Sequence, residues 1–276
     1  MKKRYTPVMA LLFVLLFSLT AWSSPGDMAQ VLVDAHKNNQ MLPILSRTAP
    51  DMTAAQAYQV QKQYVSERLR GDSIAGYKAG LTTPGAQKKF GVDESVAGVL
   101  YLSGKKSGSP LILSEAFAMP MIETEIAYYV TKPITRKVNS VSELKRHIGA
   151  VLPSIELPDL NFADLKSLKG VDLIAGNVSA TQFIVGNKKN KSLDLDSVEV
   201  VLTRNGEIVN QGKGADAMGS QWSAALWLVN TMVEQGWTIK RGNVLMTGAL
   251  GNMIPGKPGR YRADFGALGM IEFEIR

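Results

Sequence analysis

Residues 120–130 read PMIETEIAYYV, and the placement of this stretch decides the fold. Ile122, Thr124 and Ile126 alternate with Glu123, Glu125 and Ala127. That is the period of a β-strand, whose side chains point to opposite faces in turn. Glu123 and Glu125 therefore stand side by side on one face. Neighbouring like charges repel, so something positive is needed between them.

A second apolar run, VLPSIELPDL from Val151, also reads as a strand and carries one acid, Glu156, before Pro158. An unpaired carboxylate is costly in apolar surroundings. A divalent cation would resolve both problems, because magnesium and manganese prefer oxygen ligands and tolerate several carboxylates. On spacing alone the plainer alternative is favoured, with Glu123 and Glu125 facing solvent on a half-exposed strand. Lys78 adds weight to the other side. It interrupts the apolar strand SIAGYKAGL, where it either snorkels to the surface or needs an anion nearby.

Around these strands the remaining elements fall into place. Asp27–Asn38 has a helical apolar face, and Thr53 caps a helix that closes at Gly71. Pro84 opens a short helix, and PLILSE reads as a strand. SVSELKRHIGA is a helix with capping-box spacing between Ser140 and Glu143. ATQFIVG is strand-like, and Asn205-Gly206 joins two alternating runs as a hairpin. SQWSAALWLVNTMVEQG is a helix ended by Gly236, and three strands finish the chain. Between them TGALGNMIPGKPG is a glycine-rich loop suited to close backbone approach. It lacks the helix that a phosphate loop would open. Strands and helices seldom alternate strictly, so the fold class is α+β, a mixed β-roll or sandwich with flanking helices.

The 276 residues are 45% hydrophobic and 20% charged, enough for one substantial core. MKKR followed by the uncharged run Tyr5–Gly26 reads as a signal peptide. The expected division is a leader at 1–23 and one catalytic domain at 24–276, exported to the periplasm. An uncleaved leader would instead anchor the chain in the membrane. The formal charge of +7 falls to about +4 once Lys2, Lys3 and Arg4 leave with the leader. The remaining basic residues are scattered except for NKKNK at 187–191, which reads as a solvated loop, so nucleic acid is not an expected partner. Without cysteine, neither a disulfide nor a thiolate metal site is possible.

Several stretches in order resemble the 2-keto-4-pentenoate hydratase family, of the fumarylacetoacetase C-terminal-like superfamily. They are AYQVQ, GYKAGLTTPGAQKKFGVDESVAGVL, IETEIAYYV, VLPSIEL, TRNGEIVNQGKGADAMG, AALWLVNTM and NVLMTGALGNMIPGKPG. The resemblance implies that Glu123, Glu125 and Glu156 hold magnesium or manganese, which would answer the charge problem of residues 120–130. It also implies Lys78 and Asp93 as catalytic residues, and Ser179, in GNVS, as a substrate-binding one.

This chain departs from the family's pattern at Gly176, at Ser220-Gln221 and in PDLNFADLKSLKG, where selectivity would be set. The activity implied is hydration of a 2-hydroxy-2,4-dienoate, a 2-oxo acid in its enol form, by a homo-oligomer. The alternatives are decarboxylation of a 2-oxo-enedioate and an exported binding protein without turnover. Hydrolysis of a carbon–carbon bond commonly needs a histidine near the metal, and neither His36 nor His147 lies beside a ligand motif.

Overall fold

The computed structural model describes residues 24–276, so the leader expected at 1–23 lies outside the described residues. Two helices come first: α1, Pro25–Lys37, and α2, Ala54–Arg68. Each is opened by a reciprocal cap, Ser24 with Asp27 and Thr53 with Gln56. Such caps satisfy amides that the first helical turn leaves unpaired. Strand β1, Ile74–Gly80, is followed by α3, Pro84–Phe90, and β2, Val96–Tyr101. Two short strands, β3 at Lys105–Lys106 and β4 at Leu111–Ile112, precede the long β5, Met121–Val130. PLILSE is thus a strand over only two residues.

Helix α4 covers only Val141–Lys145 before β6, Ile148–Leu157, begins, so the longer helix expected there is cut short. Ser140 caps α4 as its spacing predicts. Glu143, however, accepts from the amide of Asn139 and leaves the box open. Then come α5, Gly170–Ala175, and strands β7, Gln182–Val185, β8, Glu199–Arg204, and β9, Glu207–Lys213. The β8–β9 turn is Asn205-Gly206 as expected, with φ of 52° and 91°, the left-handed geometry that matches strand twist. Helix α6, Gln221–Glu234, leads to β10, Val244–Met246, β11, Ile254–Pro255, β12, Gly259–Asp264, and β13, Met270–Ile275.

The strands form two sheets. The larger runs β2-β1-β10-β5-β6-β7-β3 with β11 paired to β5, and the smaller runs β4-β13-β12-β8-β9. Alternation along β5 and β6 separates two environments. Ile122, Ile126 and Tyr128 belong to the main core together with Leu228 and Met232 of α6, and Tyr128 meets the Trp222 ring edge-on at 4.7 Å. Ala127 and Leu152, paired across the strands, belong to a separate apolar cluster with Met246 and Phe183. The functional side chains share this second face.

The basic segment 187–191 is more than a solvated loop. Its Lys191 ammonium caps backbone carbonyls of Lys145 and Ile148 at 2.5 Å, and Lys188 stands 3.3 Å from the centre of the Tyr129 ring. Among the described residues no helix is long and apolar enough to cross a membrane.

Candidate active site

Antiparallel pairing of β5 with β6 sets Glu123 directly opposite Glu156, and Glu125 opposite Ser154. The two-residue spacing therefore places both β5 acids beside the lone acid of β6, and one oxygen from each of the three carboxylates lies within 4.8 Å of the others. Glu125 and Glu156 are fully buried and Glu123 is half-buried. Lys78 arrives from β1, two strands away from β5, with its ammonium 3.1 Å from Glu156 Oε1.

The donor set is incomplete in a telling way. Glu125 Oε2 accepts from the Gly248 amide at 2.8 Å, but Glu125 Oε1 and Glu156 Oε2 have no hydrogen-bond partner. Buried carboxylate oxygens left unpartnered are expensive, and one lysine cannot neutralise three acids. The cluster therefore fits a hard divalent cation, which takes oxygen ligands and supplies the missing charge.

The electrostatics follow from this crowding. Burial, only partly relieved by Lys78 and reinforced by Glu156, lifts Glu123 to a pKa of about 7. Burial and the charges of Glu156 and Glu123 push Glu125 well above the usual carboxylate range, against Lys78 and the Gly248 amide. For Lys78, burial alone would favour the neutral amine, yet Glu156, Glu123 and Glu125 together hold it above its ordinary value.

Lys78 and Glu123 open onto a cavity of about 380 Å³. Leu81, Phe90, Leu160, Leu173, Val178 and Met253 give it apolar walls, and Ser179 lines it as well. Ser179 is 8% exposed, and its hydroxyl has no partner. The glycine-rich loop closes one side through Ala249, Gly251 and Asn252. It is tied to β5 by the Leu250 amide donating to Thr124 O at 2.7 Å and by the Thr124 hydroxyl donating to Leu250 O at 2.9 Å.

Five of the six residues expected at the site, Lys78, Glu123, Glu125, Glu156 and Ser179, come together. Asp93 does not join them. It is exposed on the turn between α3 and β2 and is not part of the cavity wall, because that turn carries its side chain outward before the chain enters the sheet. Both histidines also lie elsewhere, His36 packed edge-on to Tyr64 and His147 against the carbonyls of Lys132 and Pro133. Sequence reasoning missed the Gly248 amide and the Leu160, Leu173 and Met253 walls. Glycine richness flags the loop but not which N–H meets a carboxylate, and nothing local distinguishes a wall leucine from a core one.

No protein-family profile matches the chain. It is 31% identical over 251 residues to a 2-keto-4-pentenoate hydratase of Paraburkholderia phymatum, spanning 89% of this chain and 95% of that protein. It is 30% identical over 237 residues to a 4-oxalocrotonate decarboxylase of a Pseudomonas strain, spanning 84% of this chain and 89% of that protein. Among solved structures it superposes on the 4-oxalocrotonate decarboxylase of Pseudomonas putida G7, complexed with magnesium and adipate. There the TM-score is 0.84 at 27% identity, over 91% of this chain and 97% of that one.

Proposed function

We propose, from the premise that this chain belongs to the 2-keto-4-pentenoate hydratase family, that it is a metal-dependent hydro-lyase adding water to a 2-oxo-enoic acid. The observation that carries the reading is the triad of Glu123, Glu125 and Glu156, with unpartnered buried oxygens on Glu125 and Glu156, set behind a cavity of substrate size that Glu123 and Lys78 line. A magnesium or manganese ion held by these three carboxylates supplies Lewis acidity for the enolate-like charge of the substrate.

The chain's own residues do the rest. A 2-hydroxy-2,4-dienoate loses the proton of its enol oxygen and gains one at the terminal carbon. The resulting unsaturated 2-oxo acid takes hydroxide at C4 and a proton at C3. Lys78 is the proton carrier, since its ammonium is buried at the cavity wall 3.1 Å from Glu156. The Ser179 hydroxyl is free to donate to a substrate oxygen. The apolar walls hold the carbon chain and exclude bulk water. Asp93 is left without a role in this reading, because its exposed position gives it no route to the cavity.

One observation favours the second reading, decarboxylation of a 2-oxo-enedioate. Lys89 lines the cavity and lies 5.3 Å from the Phe90 ring centre. It forms no ion pair among the described residues, so it can meet a second carboxylate. Purified protein with magnesium, offered 2-hydroxypenta-2,4-dienoate and 2-oxo-enedioates while enol absorbance is followed, decides between the two. Loss of enol signal with formation of the 4-hydroxy-2-oxo acid and no carbon dioxide release supports hydration, release supports decarboxylation, and no metal-dependent change with any substrate would overturn both.

Export and self-association belong to the same proposal. Export is supported by the basic start and apolar run of residues 1–23. Sequencing the N-terminus of the expressed protein checks it, and recovery of the full-length chain from the cytosol would refute it. Self-association is supported by Leu111 and Leu113, 47% exposed at an edge strand. A monomer in analytical ultracentrifugation would refute it.

A further inference from the structure

Strand β2 is at the edge of the larger sheet, yet its outward backbone groups are not free. The Ala97 amide donates to the Tyr58 hydroxyl at 2.9 Å, and the Ala97 carbonyl accepts from Gln61 Nε2 at 2.8 Å. Two residues on, Asn177 repeats the pattern by itself. Its Oδ1 accepts from the Val99 amide at 2.7 Å, and its Nδ2 donates to the Val99 carbonyl at 2.9 Å. Side chains thus stand in for a missing neighbouring strand, satisfying groups that an edge leaves open.

The backbone that presents Asn177 is strained. Asn177, Val178 and Ser179 all adopt left-handed φ, at 59°, 50° and 57°. That conformation is uncommon for any residue other than glycine and an outlier for β-branched valine. Strain of this kind persists only where surrounding contacts over-determine it, and it gathers at working sites. The contacts here are specific. A Cβ on Gly98 would fall 2.9 Å from Asn177 O, so the glycine makes the notch in which the turn sits. A Cβ on Gly80 would fall 2.9 Å from Val178 Cγ1 and 3.6 Å from the Lys78 ammonium, so Val178 is seated beside the lysine. The next residue is Ser179, which lines the cavity and whose buried hydroxyl has no partner.

We propose that Asn177 is a positioning residue: by gripping the free edge of β2 it holds the left-handed turn that keeps Ser179 and Val178 at the cavity beside Lys78. The inference rests on the hydratase reading of the cavity for its kinetic consequence, but not for its conformational one. The Asp159 amide donates to Ser179 O at 3.0 Å and reports where Ser179 sits. Asn177→Ser should speed hydrogen exchange at both Val99 and Asp159 in the full-length protein while leaving the centre of β5 protected. If that variant does not fold, Tyr101→Phe, which removes only the outer 3.2 Å bond to Asn177 Nδ2 and the contact with Arg68, should speed the same two amides by less. Continued protection of Asp159 with Val99 exposed would overturn the proposal.

In the magnesium-loaded enzyme, Asn177→Ser should lower kcat by about a hundredfold, the scale of an ångström-level misplacement, with KM little changed. Adding Ser179→Ala to it should cost little more, because the two act through one another. Fully additive losses would make Asn177 merely structural and overturn the proposal. A wild-type protein inactive on every 2-oxo acid would refute the hydratase reading and leave the exchange experiment to decide this one.

Discussion

One face of β5 carries two halves with opposite habits. Toward its start, Glu123 and Glu125 meet Glu156 and Lys78 in a buried cluster whose oxygens are left partly unpartnered. At the next position along the same face, Ala127 pairs with Leu152 and packs with Met246 and Phe183 in an apolar cluster. The second half lowers the free energy of the folded state by removing apolar surface from water. The first half raises it in the metal-free protein, since carboxylates are desolvated without full compensation. Folding physics accounts for the apolar half alone. The polar half makes sense only if a ligand supplies what the fold withholds.

This contrast can be broken most directly at the metal ligands. Glu125→Gln should weaken magnesium binding by more than about a hundredfold, since losing even an outer-shell partner of a metal ligand costs tenfold to a hundredfold. Calorimetric titration of metal-free protein measures this, and equal affinity in the variant would remove Glu125 from the ligand set. Lys78→Met tests the other member of the cluster. Turnover should fall by about a hundredfold or more, as for loss of a general acid or base. Because Lys78 is the buried partner of Glu156, the metal-free variant should also lose stability, by about 3 kcal/mol. Saturating magnesium should restore most of that loss in a thermal melt. Destabilisation that metal does not relieve would make Lys78 part of the scaffold.

The apolar half should behave in the opposite sense. Leu152→Ala should cost about 3 kcal/mol of stability through the cavity it leaves, with metal affinity unchanged. A large loss of affinity there would mean that the two halves are coupled.

The most gradual effect expected is one of pH. Glu123 is lifted from an ordinary 4.5 to about 7, so the folded state holds its proton more tightly than the unfolded chain does. Its contribution to stability is full below pH 4.5 and is lost as the pH rises through 7. Metal-free protein should therefore become less stable across this window. Magnesium affinity should rise over the same range, because the ion must displace the proton. Affinity independent of pH between 5 and 8 would show that Glu123 is already ionised.

Much of this molecule is written in local patterns. The alternation in PMIETEIAYYV, the caps at Thr53 and Ser140 and the Asn205-Gly206 hairpin are decided by neighbours within a few residues, and each appears where its pattern predicts. Where competition arises, the local pattern gives way. The helical signal that continues past Lys145 yields to β6, because Ile148 and Ala150 pair with β5, and a central strand offers more burial than the remainder of the helix.

For the site, sequence alone determined that two acids share one face of a strand, that a third acid and a lysine interrupt apolar strands, and that such groups need an ionic partner. These follow from a period of two and from the cost of burying charge, which need no long-range information. Tertiary structure alone decided that β5 and β6 pair in the register that sets Glu123 opposite Glu156, and that β1 comes close enough for Lys78 to reach the cluster. It also turned Asp93 to solvent, aimed the Gly248 amide at Glu125 and set Asn177 against the edge of β2. Each of these is a meeting of segments far apart in the chain. Which segments meet is settled by how the whole sheet buries its apolar faces, and no short stretch of sequence contains that choice.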